Sequence, residues 1–302
     1  MINKFLRNNI FTTLALLSIL PFASCDDMDE AERITAGKPE TIVVQPETLT
    51  VVAEGETFTY VDEHRLLIED FTGWNCVNCP NIADFLTSQV TNNYPSVLVS
   101  LHMTTNSFSA NHPDGYNCAS ADSIANMIYG STVASQMPLP SVSIDQANSE
   151  DGVTSSNTTV LGKLALERFT ACNITKTAPQ AGIAVNVAEK GDNTYSISTL
   201  VNYKGASSCN LKLWLIEEGL ISRIQNSTSG YLRNYENHGI LRQVINGSYE
   251  GQNITLNAEG QAVVHTNLNL SGKNYVAQNC RVVAIISDAN GVVVNCNEKE
   301  LK

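Results

Sequence analysis

Between Thr41 and Val61 apolar and polar residues alternate in three short runs, Thr41 to Gln45, Thr48 to Val52 and Thr57 to Val61, broken by Pro46 and Gly55. This is the two-residue period of strands punctuated by turn residues. So short a stretch cannot close a sandwich of its own, and the strands are expected either to dock as edge strands on a later domain or to stand as a stiff stalk. The pattern then changes. Leu66-Leu67-Ile68 reads as a buried strand, and Val77, Ile82, Phe85, Leu86 and Val90 suit one helix face. Ser96 to His102 is an apolar strand of the kind that parallel sheets bury. A polar loop follows from Thr104 to Asn117, then a helical stretch from Ser120 to about Gln136, the strand Ser141 to Asp145 behind Met137-Pro138-Leu139-Pro140, and a helical pattern from Thr159 to Cys172. Strand and helix alternating in this order over residues 63–177 predict a right-handed βαβ core.

Residues 178–302 read as all-β. Gly182 to Val187, Thr194 to Tyr203, Asn210 to Glu217, Ile240 to Ile245, Asn253 to Leu256, Gln261 to Leu270 and Arg281 to Ser287 alternate or are β-branched between Gly, Asn and Asp turns. Asp288-Ala289-Asn290-Gly291 ahead of Val292-Val293-Val294 is a hairpin signal. Strands at such spacing suit an immunoglobulin-like sandwich. The piece from Gln225 to Glu236, with Tyr231 and Tyr235, is the least strand-like, either an ordinary connection or a binding loop.

The other end of the chain sets the compartment. Lys4 and Arg7 precede a mostly apolar run from Ile10 to Phe22, too short for the roughly 20 residues that span a bilayer. Residues 1–24 therefore read as a signal peptide. The run closes Leu20-Pro21-Phe22-Ala23-Ser24-Cys25, small residues before a cysteine, which resembles a bacterial lipobox and implies lipidation of Cys25. Asp26-Asp27-Met28-Asp29-Glu30 resembles a surface-export signal and equally suits a solvated spacer, so residues 25–62 are expected to be a tether with short strands. The chain carries −12 at pH 7, and loss of Lys4 and Arg7 takes it to −14. Such a charge repels nucleic acid and anionic headgroups, so membrane contact is expected through the lipid alone.

Candidate chemistry lies in Asp70-Phe71-Thr72-Gly73-Trp74-Asn75-Cys76-Val77-Asn78-Cys79-Pro80. Two thiols at C-x-x-C spacing close a small disulfide ring, and a helix beginning at the first favours its thiolate. A zinc site would need two more ligands from His102, His112 or Cys118, with the loop after the second strand folded over the pair. Seven of the eight cysteines remain beyond Cys25; oxidising surroundings favour pairing, and a bridge among Cys209, Cys280 and Cys296 is plausible from their shared strand-rich region. Neither a Gly-x-Ser-x-Gly elbow nor a phosphate-cradling loop is present, so hydrolase and nucleotide chemistry have no support. No cofactor and no metal is expected.

The order of elements around the cysteines resembles the thioredoxin-like fold. That resemblance implies that Pro140, ahead of Ser141 to Ile144, is the cis-proline facing the pair, and that Asp70 is the buried acid of the fold. Val77-Asn78 replaces the usual Gly-Pro and Trp74 is not adjacent to Cys76, so no redox potential carries over. Leu67 to Pro80, with Asn237-His238-Gly239-Ile240-Leu241-Arg242, is similar to the 28-kilodalton outer-membrane lipoproteins of Bacteroidota. The resemblance implies an α/β thioredoxin-like domain followed by an all-β immunoglobulin-like sandwich, lipid-anchored at the outer membrane and facing either the periplasm or the cell surface. Two functions are then expected. One is thiol–disulfide exchange on envelope protein thiols, with Cys76 as exposed nucleophile, Cys79 resolving, Asp70 relaying a proton and Pro140 positioning the partner. The other is a non-catalytic binding or scaffold lipoprotein in which the pair is a structural disulfide.

Overall fold

The alternating runs after Pro46 form a hairpin, β1 (Thr48–Ala53) and β2 (Glu56–Val61), turned at Glu54 and Gly55, whose φ of 51° and 81° are both left-handed. The structure is a computed structural model and describes residues 46–129, 134–146 and 156–302. The leader, Cys25, the acidic cluster and the expected strand Thr41 to Gln45 lie outside them. Of the two expectations for the hairpin, docking holds. Phe58 and Tyr60 bury themselves against Ala184 and Leu200, and the Tyr60 hydroxyl accepts from Asn202 Nδ2 at 2.9 Å. Burying a Phe side chain completely contributes about 1.5–3 kcal/mol.

Next come β3 (Leu66–Thr72), helix α1 (Cys79–Phe85) continuing in π-helical turns over Leu86–Thr91, β4 (Ser96–His102), α2 (Ala119–Tyr129), β5 (Ser141–Ile144) and α3 (Thr158–Phe169), which also ends in π-helical turns. β3 is buried at all its positions because it is central: β4 runs parallel on one side and β5 antiparallel on the other. One face of these strands, Leu66, Ile68 and Val142, packs on Ile82, Leu86 and Leu161 of the helices.

The remainder is strand-rich: β6 (Gly182–Gly191), β7 (Thr194–Asn202), β8 (Ser208–Glu217), the short β9 (Leu220–Ser222), β10 (Gln225–Ser227), β11 (Gly230–Leu232) and β12 (Tyr235–Asn237), then β13 (Ile240–Val244), β14 (Gln252–Thr255), β15 (Gln261–Asn269), β16 (Cys280–Ser287) and β17 (Val293–Glu300). β15, β7 and β6 form a separate three-stranded sheet. β13 lies antiparallel to β8 on one side and parallel to β4 on the other. A single eight-stranded sheet therefore runs β17-β16-β8-β13-β4-β3-β5, with β14 also on β8.

The seam is made by Asn237-His238-Gly239. Ser100 N donates to Gly239 O at 2.8 Å and Ser100 Oγ to His238 O at 2.7 Å. Gly239 has φ 59°, and a Cβ there would overlap the Leu98 carbonyl, so only glycine fits. Behind the seam Leu67, Phe71, Val99 and Leu101 share one core with Trp214, Leu241 and Ile285. A second tie runs from the start of β3 to β17: His64 Nδ1 donates to Val294 O at 2.8 Å, and Nε2 to Asp145 Oδ2 at 2.7 Å.

The expected bridge among the later cysteines is not formed. Cys118, Cys172, Cys209, Cys280 and Cys296 are all buried free thiols. Register gives the reason. Cys280 stands opposite Glu217, at the far end of β8 from Cys209, and Cys296 stands opposite Ile285, separations that no disulfide spans. Burial pushes Cys209 up to about 11 and Cys280 up to about 12, so these thiols serve as small apolar core groups.

Candidate functional site

The chain leaves β3 at Thr72 and turns at Gly73, where a Cβ would overlap the Phe108 carbonyl. Cys76 and Cys79 are joined in a disulfide. The helix begins at Cys79, not Cys76, with Asn78 as a cap that makes no side-chain bond and Pro80 in the first turn. Pro80 has no amide hydrogen to leave unsatisfied there, so it sets the start. Cys76 thus precedes the helix, its amide donating to Gly73 O at 3.1 Å. That placement removes most of the expected helix-start stabilisation of its thiolate.

Both cysteines are only 2% exposed, whereas Cys76 was expected at the surface. Two segments cover them. From the C-terminal half, Gln225 Nε2 donates to Gly73 O at 3.1 Å, Asn226 N to Trp74 O at 2.8 Å, and Asn226 Nδ2 to Asn75 Oδ1 at 3.3 Å. From the loop after β4, Phe108 O accepts from Asn75 N at 3.0 Å and Ala110 O from Trp74 Nε1 at 3.0 Å. Val77, Phe108 and Tyr231, one from each of the three segments that meet here, remain 42%, 47% and 57% exposed.

Asp70 lies beneath, on the helix-facing side of β3. Thr72, Pro80, Gln225, Tyr235 and Asn237 join it around a cavity of about 20 Å³, room for one water. Asp70 Oδ1 has no hydrogen-bond partner, and burial alone pushes the carboxyl up to about 7. Pro140 follows a cis peptide bond from Leu139. Because Ser141 pairs with Phe71, Pro140 stands alongside Thr72, at the strand end from which the cysteine loop departs. The fold thus gathers Asp70, Cys76, Cys79 and Pro140 around one end of β3.

Polar neighbours fill the same layer. His102, opposite Thr72 on β4, has both ring nitrogens unpartnered, and burial pulls it down to about 3. Its ring meets His112 edge-on at 5.2 Å. His112 Nδ1 accepts from Asp114 N at 3.1 Å, which leaves Nε2 to donate to Ser222 Oγ at 3.3 Å. The loop does fold over the pair as zinc would require, but the disulfide has consumed both thiolates and the Cys118 thiol donates to Arg242 O. Among the described residues no group of three or more His, Cys, Asp or Glu side chains is placed to hold a metal.

Cys172, His64 and Asp145 look on paper like a nucleophile, base and orienting acid. Geometry disqualifies them: both His64 nitrogens are taken by Val294 and Asp145, and Cys172 is fully buried. Gln225 and Asn226 fall in the piece that reads as either a connection or a binding loop, Asn237 opens the second family-like motif and His112 is a candidate zinc ligand, but nothing in the sequence places any of them around the cysteine pair.

No helix among the described residues is long and apolar enough to cross a membrane. No curated protein matches the sequence. Among solved structures, HBP35 of Porphyromonas gingivalis is similar with a TM-score of 0.62 at 12% identity, covering 79% of this chain and 76% of that one. This likeness speaks for the fold alone. A domain of the outer membrane lipoprotein Omp28 from Porphyromonas gingivalis is similar at 14% identity over 40% of this chain and 88% of its own, with a TM-score of 0.29. The family model for outer membrane protein Omp28 matches residues 135–302. That match takes in the cis-proline strand, the seam motif and every strand after it, and by it the chain belongs to the Omp28 family of outer membrane proteins.

Proposed function

We propose that this protein is a lipid-anchored outer-membrane lipoprotein that acts by binding, with Cys76–Cys79 as a structural staple in its binding face. The reading combines a thioredoxin-like frame, β3 to α3, with an immunoglobulin-like arrangement of the later strands, held to the membrane through Cys25. One observation carries it: the bridge is 2% exposed under two hydrogen-bonded segments, whereas exchange begins with a thiolate reaching a sulfur. Exposed Val77, Phe108 and Tyr231 around it supply apolar surface of the sort that marks a protein-binding site.

The test is the behaviour of the bridge. The oxidised protein should resist thiol reductants, with a potential below about −300 mV, and Cys79→Ser should trap no envelope protein. Cys76→Ala with Cys79→Ala should cost about 2 kcal/mol in urea unfolding, the entropy of so short a loop, and leave partner capture intact. Fast reduction together with trapped mixed disulfides would overturn the proposal in favour of thiol–disulfide exchange. A specific observation keeps that second reading in view: Asp70, unpartnered and raised to about 7 beneath the pair, has the properties of a proton relay.

A further inference from the structure

A second buried polar group lies on the other face of β3, away from the disulfide. Lys212 of β8 is 1% exposed, and its Nζ donates to Gln146 Oε1 at 3.0 Å. On the opposite side of the same amide, Gln146 Nε2 donates to Glu69 Oε1 at 2.6 Å. Glu69 is fully buried, and its Oε2 has no partner. Asp145 and Gln146 take consecutive left-handed conformations, φ 55° and 50°, in residues with side chains. Such a turn is strained, and it is held because Asp145 is fixed by Leu67 N, His64 and Arg168. Gly251, at φ 94°, presses its backbone on the Lys212 stem so closely that a Cβ would meet Lys212 Cγ at 2.9 Å.

A buried lysine is stabilised most simply by direct contact with a carboxylate. Here an amide stands between the two charges, with an amine at its carbonyl and an acid at its nitrogen. We propose that Lys212 and Gln146 join in an intramolecular isopeptide bond, with Glu69 as the catalytic acid and base. Neutral Lys212 Nζ attacks Gln146 Cδ and forms the Nζ–Cδ bond. Protonated Glu69 gives its proton to Nε2, the Cδ–Nε2 bond breaks, and ammonia leaves. The Glu69 carboxylate then takes the surplus proton from Nζ and is restored.

Burial moves both groups in the required direction, holding Lys212 below the usual lysine range against the opposing charges of Glu69 and Glu250, and raising Glu69 to about 7. Ser143 beside Glu69 offers a hydroxyl, and the charge of Asp145 adds to the upward push. No oxidant or further reactant enters. The product would tie β8 to the end of β5 across 66 positions of sequence, a link that reductants leave untouched.

The experiment is intact-mass measurement of the folded full chain, followed by peptide mapping. The wild type should be lighter by one ammonia, with a branched peptide joining Gln146 to Lys212. Lys212→Arg and Glu69→Gln should each restore the full mass. Wild-type protein that keeps its full mass on incubation near neutral pH overturns the proposal. So does a loss that persists in Lys212→Arg or maps to succinimide at Asn246-Gly247 or Asn290-Gly291. The wild-type mass decides even where a variant fails to fold.

Discussion

Asp70 and Asp145 are both fully buried, one within β3 and the other at the end of its neighbour β5, yet the protein treats them in opposite ways. Asp145 accepts from Leu67 N at 2.8 Å, His64 Nε2 at 2.7 Å and Arg168 Nε at 3.0 Å. Burial would raise its carboxyl, but the charge and hydrogen bond of His64, with Arg168, hold it below the usual range. Asp70 suffers the same burial with nothing to oppose it and rises to about 7. Desolvation has one sign for every acid, so partners decide which acid stabilises a fold. Asp145 is a structural tie; Asp70 is kept at a cost in stability.

The largest expected effect tests the first half of that contrast. Asp145→Asn should lose about 3–5 kcal/mol in urea or thermal unfolding, because it leaves the buried His64 cation, and the part-exposed Arg168 beside it, without their acid. The pH course follows from His64, where burial lowers the value but Asp145 more than reverses it, to about 10. The stabilisation is complete below the unfolded histidine value of about 6.5 and is lost as pH rises through about 10, since across that window only the folded chain holds the proton. In Asp145→Asn this alkaline decline should disappear; its survival would break the comparison.

Asp70→Asn should act in the other direction, raising stability by about 2–4 kcal/mol at pH 8. Between roughly pH 4 and 7 the folded wild type holds a proton that the unfolded chain releases, so its stability falls with rising pH. The gain from asparagine is therefore full above pH 7 and vanishes below about pH 4. A loss at pH 8 would mean that Asp70 has found a partner. The smallest effect sharpens the contrast: Arg168→Met, which removes one part-exposed donor from Asp145, should cost about 1–2 kcal/mol in the same assay.

Much of the frame was legible because the apolar pattern is local. Ser96 to His102 is a strand to the residue, and the hairpin at Asp288 to Gly291 closes where Asn-Gly placed it. The pairing of Cys76 with Cys79 was suggested by their spacing, whereas the placement of Asp70 and Pro140 at the same strand end came from the resemblance to the thioredoxin-like fold. What pattern could not carry is partnership over distance. Ile240-Leu241 reads as any strand, and nothing in it says that its neighbour is Ser100. The cover over the disulfide was illegible for a related reason: Asn226 N and Phe108 O hold part of it through backbone groups, which leave no side-chain signature, and the side chains of Gln225 and Asn226 that hold more of it lie 152 and 151 positions from the residues they bond. Cysteine pairing failed because compartment sets a tendency, while register sets the distances.

The seam at Gly239 has a consequence for biogenesis. Ser100 Oγ and His238 O are separated by 138 positions, so during synthesis the outer edge of β4 emerges long before the strand that covers it. An uncovered edge is a template for pairing with another chain, and closing so long a loop is slow. Residues 46–177 made alone should therefore be sticky at the open edge of β4 where the whole chain is not.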